Sequence, residues 1–157
     1  MLIQFHDYLK IENIYIWSNL GVLPFWVMLM LIPRSNYTQI FVNSIIIPLL
    51  LASAYVYVLY QSISNDEFIF EVFILYASIE NLYTVFSNEN ILLTFWLHFL
   101  SLSLFLGSWI SRDAIKFSIP TGLVFLPLLF TYFTGPLGLV FYWIIRIFYS
   151  RKLGFHD

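Results

Sequence analysis

Twenty consecutive residues, Ile91–Ile110 (ILLTFWLHFLSLSLFLGSWI), contain no Asp, Glu, Lys or Arg. Coiled as a helix, such a run rises about 30 Å, the thickness of a bilayer's hydrocarbon core. Near its middle stands His98. An ionisable ring at that depth is costly and normally faces a partner, a cavity or a substrate. The segment therefore places the chain in a membrane and makes His98 the first candidate for function, pointing inward among helices where water is scarce.

Composition supports the membrane reading. Hydrophobic residues make up 61% of the 157 and charged residues 10%, against roughly 25% charged in soluble domains. A soluble fold of this size could not cover that much apolar surface. The length suits a single domain over 1–157. A net charge of −2 supplies no basic field for nucleic acid. Cysteine is absent, which excludes disulfides, thiolate catalysis and Cys-ligated metal sites. The opening MLIQFHDYLK lacks a signal peptide's layout, so the first span is expected to serve as its own insertion signal. Aromatic residues reach 21%, with 17 Phe, more than interfacial belts require.

The pattern predicts an all-α, polytopic membrane helical bundle of about four transmembrane helices plus a short amphipathic helix. Expected spans are 14–32, 40–60, 91–110 and 117–134. Pro33 ends the first, Pro48 lies inside the second, and Gly135-Pro136 closes the fourth. A helical extension over 137–149 is expected to leave the membrane past Arg146. Residues 67–86, with Glu67, Glu71, Ser78 and Asn81 on one face, read as the amphipathic helix. Four spans would put both chain ends on one side, with Lys10, Arg146, Arg151 and Lys152. Arg34, Arg112 and Lys116 would face them across the membrane. The expected arrangement has both ends in the cytoplasm, or in the stroma of a plastid.

In the third span Thr94, His98, Ser101, Phe105, Ser108 and Arg112 recur at three- and four-residue steps and share a face. That face is either the stripe packed on a neighbouring helix or a lining in which His98 moves a proton. Ser103 and Gly107 form a small-xxx-small pair for close helix approach. Asn19 reads as an interhelical hydrogen-bonding group. Arg34 and Arg146, near span ends, read as snorkelling to headgroups. Among the carboxylates, Glu67 and Glu71 read as headgroup-facing, and Glu80 closes an apolar run. His6, His98 and His156 are not at metal-ligand spacing, and no di-metal, Walker, dinucleotide or nucleophile-elbow pattern occurs. Neither a metal nor a cofactor is expected.

The order of motifs resembles the abscisic-acid-deficient-four-like membrane proteins of bacteria, cyanobacteria and plastids. The likeness runs from Asn19-Leu-Gly-Val-Leu-Pro24-Phe-Trp26 through Pro33-Arg34, Thr38, Ile47-Pro48 and Ser78-Ile-Glu80. It continues through Trp96-Leu-His98, Leu104-Phe105-Leu-Gly107-Ser-Trp109, Arg112-Asp113-Ala114 and Thr134-Gly135-Pro136-Leu-Gly138 to Arg146. In one place the chain departs: the family pattern has Asp-Leu-Phe after the histidine, and Ser103 stands at the Asp position.

The resemblance implies a carotenoid-modifying protein, since the plant members are associated with neoxanthin formation from violaxanthin. Opening a carotenoid epoxide to an allene needs an acid at the epoxide oxygen and a base at the carbon losing its proton, in a dry slot. His98 and Glu80 are the catalytic candidates. The expected substrate contacts are Asn19, Trp26, Trp96, Ser101, Ser103, Phe105 and Trp109. The alternative is a non-catalytic membrane subunit that binds a carotenoid, another lipid-like ligand or a partner membrane protein, or that forms homo-oligomers. Expected locations are a bacterial inner membrane or, in an organelle, the thylakoid or plastid envelope.

Overall fold

A computed structural model describes residues 10–63, 73, 74 and 76–151. All regular structure among them is helical. The elements are α1 (Ile11–Leu31), α2 (Asn36–Phe41), α3 (Ile46–Ile63), α4 (Ile79–Phe86), α5 (Glu89–Lys116), α6 (Thr121–Thr134) and α7 (Pro136–Ser150). Glu67 and Glu71, in the front part of the expected amphipathic helix, lie outside the described residues.

The bundle is built around α5. Half of its most apolar stretch is buried, against 28% in α1. It packs against α3, α6 and α1 at once. Asn19 meets Trp96, and a Cβ on Gly107 would run 2.7 Å from the Trp26 ring, so α1 runs parallel to α5. The small-residue face of α5 thus admits another helix, as its sequence suggested. Tyr55 lies beside His98, and Ser101 and Ser108 reach Pro48 and Val42, so α3 runs the other way. Buried Val22, Leu29, Leu100, Leu104, Ile110, Leu128 and Tyr142 form the main core.

Pro33 ends α1, because the ring removes a donor and disfavours helical geometry just before it. The Thr38 hydroxyl and Gln39 amide then donate to the Ile32 and Pro33 carbonyls, each at 2.8 Å. The expected second span is not one helix. It breaks between Phe41 and Ile46, where Ile45 takes a left-handed φ of 72°. Pro48 explains the break, since its ring would clash with the Ser44 carbonyl in a continuous helix. With the helix restarted at Ile46, Pro48 sits in a first turn, where a missing N–H costs little.

Three segments are long and apolar enough to cross a membrane: Ile11–Leu31, Asn36–Ile63 through its break, and Glu89–Lys116. The segment expected as a fourth span behaves differently. With 14 residues, α6 rises about 21 Å, short of a bilayer's width. It starts at the Lys116 end of α5 and stops beside Ser103, the midpoint of that helix. There Gly135, at φ 65°, reverses the chain. Pro136 opens α7, which returns along α6 instead of continuing outward. Phe130 and Phe141 pack 5.0 Å apart across the pair. The pair closes tightly because Gly138 has no Cβ, which would otherwise strike the Pro127 carbonyl and Thr131. The α6–α7 pair is thus a helical hairpin that enters and leaves by one end of the bundle.

This alters the expected sidedness. Lys10 and Arg151 lie at opposite ends of the bundle rather than sharing a side. Lys10, Glu12, Glu80 and Glu89 mark one end. Arg34, Arg112, Lys116, Arg146 and Arg151 mark the other.

Candidate functional site

The polar stripe of α5 faces α3. The Thr94 hydroxyl, buried, donates to the Asn90 carbonyl at 2.8 Å. The Ser101 hydroxyl donates to the Pro48 carbonyl at 3.1 Å. The Ser108 hydroxyl donates to Asn43 Oδ1 at 3.2 Å, beside the helix break. The Thr94 bond stays within α5, and the two serines tie that helix to α3 and to the break before it.

His98 does not point inward. It is exposed on the outer flank of the α3–α5 contact, its ring 5.8 Å from that of Tyr55. The cause is rotational: Leu97, Leu100 and Leu104 are buried, so the core side of the helix is already filled with leucine. Glu80 is exposed in the first turn of α4, where a carboxylate complements the helix dipole. Ser78 caps that helix by accepting from the Asn81 amide at 3.2 Å. From there α4 meets α5 through Phe86 and Phe95, rings 4.6 Å apart. Nothing described joins Glu80 to His98.

The expected substrate contacts separate into three groups. Asn19 and Trp96 come together: Trp96 Nε1 donates to Asn19 Oδ1 at 3.2 Å, and Asn19 Nδ2 donates to the Tyr15 carbonyl at 2.7 Å. This is the interhelical role expected of Asn19. Trp26, Ser103 and Trp109 are packing residues. Trp26 is buried edge-on to Tyr132 at 5.5 Å, buried Ser103 supports the Gly135 turn, and Trp109 meets Tyr142 at 5.9 Å. Ser101 is taken by Pro48, and Phe105 is 43% exposed on the outer surface.

Two apolar grooves lie beside α1. One, of about 590 Å³, lies between the leading halves of α1 and α5 and is lined by Ile11, Glu12, Tyr15, Ile16, Glu89, Leu92, Leu93 and Trp96. The α6–α7 hairpin reaches only to Ser103, so it leaves this half of α5 uncovered. The rings of Tyr15 and Phe99 lie 6.2 and 5.5 Å from Trp96. The other groove, of about 540 Å³, separates α1 from α3 and is lined by residues including Trp17, Ser18, Gly21, Phe25, Leu50, Ala54 and Tyr57.

A buried polar cluster forms where the sequence suggested a headgroup contact. Arg146 is 1% exposed and does not snorkel. Its Nε donates to Asp113 Oδ2 at 2.7 Å, and the Tyr142 hydroxyl donates to the same oxygen at 2.6 Å. The Phe117 ring covers the guanidinium at 4.7 Å. The three groups clamp the open end of the hairpin to α5. Arg112-Asp113 and Arg146 were visible as motifs, but pairing them requires knowing that the chain doubles back at Gly135. Two further buried polar atoms, Asn43 Nδ2 and Ser111 Oγ, have no hydrogen-bond partner.

A family model described as ABA DEFICIENT 4-like matches residues 13–142. This chain belongs to that family. It is 26% identical over 144 residues to "Protein ABA DEFICIENT 4, chloroplastic" of Arabidopsis thaliana. The alignment covers 90% of this chain and 64% of the plant protein, so the chain spans under two thirds of that relative's length. No solved structure matches. The ABA DEFICIENT 4-like match takes in α1 to α5, the hairpin turn and Tyr142, and ends before Arg146. The crossing helices and the chloroplastic relative together support a membrane location.

Proposed function

We propose that this protein holds a carotenoid, or a closely similar ring-ended polyene lipid, in the groove between α1 and α5. The observation behind this reading is the aromatic groove itself in a member of the ABA DEFICIENT 4-like family. Its volume lies within the range of ordinary ligand sites. The faces of Tyr15 and Trp96 offer stacking surfaces to a conjugated chain. Glu12 and Glu89 at the mouth accept hydrogen bonds from a hydroxylated end ring. The test is purification in mild detergent from a carotenoid-producing host, followed by absorption spectroscopy and pigment extraction. Stoichiometric bound polyene that falls at least severalfold in Trp96→Ala supports the reading. Well-folded protein without pigment removes it.

A second reading is catalytic: isomerisation of an epoxy-carotenoid of the neoxanthin-forming type. The observation favouring it is the imidazole of His98 beside the phenol of Tyr55, both proton-transfer groups, on crossing helices. In this reading His98 moves the proton between the polyene carbon and the epoxide oxygen. Glu80, exposed on α4, is the second catalytic candidate. Coexpression with violaxanthin-producing enzymes should then yield neoxanthin, and His98→Ala should abolish it. An unchanged pigment profile with well-folded protein eliminates the isomerase, and full activity in His98→Ala eliminates the assigned residue.

A further inference from the structure

At the cationic end of the bundle, the end of α1, the end of α5 and the start of α6 enclose a small cleft bordered by Arg34, Ser111 and Thr121, with walls of Ile115, Ile119 and Val124. Its enclosed part has room for about one oxygen atom. Ser111 is 1% exposed, and its hydroxyl has no hydrogen-bond partner. A buried hydroxyl left this way loses its hydration for nothing in return. Across the cleft stands the first turn of α6. Pro120 precedes that 14-residue helix; the Leu123 amide donates to the Pro120 carbonyl at 3.0 Å, and the Thr121 and Gly122 amides ahead of it have no partner inside the helix. Arg34 stands exposed at the rim.

A buried hydroxyl donor, the positive end of a helix and a guanidinium thus converge on a space the size of one oxygen. We infer that this cleft binds the phosphate of an anionic membrane lipid. One phosphate oxygen enters between Ser111 and the α6 amides, and the outer oxygens meet Arg34 in a charge-assisted contact. Ile115, half-buried at the cleft, favours a lipid over a free anion, because its side chain would lie against glycerol and the first acyl carbons. Lys116 and Arg151 at the same end add a favourable field. The inference is independent of the carotenoid reading, since it concerns the opposite end of the molecule from the α1–α5 groove.

The test uses the full chain purified in mild detergent, with retained lipid counted by native mass spectrometry. Phosphatidylglycerol and phosphatidylcholine are supplied in parallel, and inorganic phosphate is added in a third arm. Phosphatidylglycerol should be retained over phosphatidylcholine. Arg34→Gln should weaken retention about tenfold, the scale of one charge-assisted contact. The nearly isosteric Ser111→Ala should weaken it about threefold, without loss of folding. Arg112→Gln, which removes a charge outside the cleft, should leave it unchanged. Equal retention of both lipids overturns the site, as does an Arg112→Gln effect as large as that of Arg34→Gln. Displacement of the lipid by millimolar inorganic phosphate would assign the cleft to a free anion and overturn the lipid assignment.

Discussion

Asp113 serves two donors at once through a single oxygen, and Arg146 and Tyr142 both depend on it. Removing one partner of a buried ion pair costs more than the pair contributes, because the other charge stays desolvated. Asp113→Asn is therefore expected to lower stability by about 3–5 kcal/mol, read as a fall in the unfolding midpoint in detergent. The double variant Asp113→Asn with Arg146→Met should recover part of that loss, and an additive loss would contradict the clamp. His98 is the opposite case. Its exposed ring makes His98→Ala close to neutral for stability, within about 0.5 kcal/mol, so any loss of pigment chemistry in that variant would be functional. Sequence located both residues but misjudged their surroundings. Composition shows that His98 lies within a span, but its rotation was decided by Leu97, Leu100 and Leu104 filling the core side. Arg146 read as a snorkelling residue because its partner lies 33 positions away, across a reversal that spacing does not reveal.

The helices themselves were legible wherever hydrophobic runs and prolines act locally. The helices α1 and α5 lie where the apolar stretches put them, and Pro33 stops α1 as expected. Pro48 and Gly135 were read as punctuation within or after a span, yet each redirects the chain. Proline acts on the residues just before it, so the break fell at residues 42–45 and left Pro48 in a fresh first turn. Gly135-Pro136 combines a left-handed φ with a helix start, and that pairing makes a hairpin. Whether two short apolar helices continue or fold back depends on close packing, which here rests on Gly138. Gly138→Ala places a methyl group against the Pro127 carbonyl and Thr131. It is expected to cost at least about 1–3 kcal/mol and to increase hydrogen–deuterium exchange in α6 and α7 more than in α1. Uniform exchange across all helices would show that the hairpin is not a separable unit.

Among the described residues, three long apolar segments with a shorter hairpin distribute charge unevenly. Arg34, Arg112, Lys116 and Arg151 gather at one end, and Lys10 stands at the other among Glu12, Glu80 and Glu89. Four spans would have divided the cations almost evenly and left orientation open. For a bundle that crosses three times, the positive-inside rule predicts that the arginine-rich end faces the cytoplasmic side. The chain has no native cysteine, so single-cysteine variants at exposed Glu12 and Tyr149 can report sidedness. In intact cells a membrane-impermeant maleimide should label Glu12→Cys and spare Tyr149→Cys until lysis. The reverse pattern would invert the orientation.

The half-depth hairpin has a consequence for the surrounding bilayer. Among the described residues, α1, α3, α5, α6 and α7 fill the half of the bundle at the arginine-rich end, and α1, α3 and α5 with the short α4 fill the other half, so the described bundle tapers. Lipids on the narrow side have to splay to fill the difference, which a curved sheet allows more easily than a flat one. Partitioning between small and large vesicles should therefore favour the small ones, with the arginine-rich end on the convex outer surface.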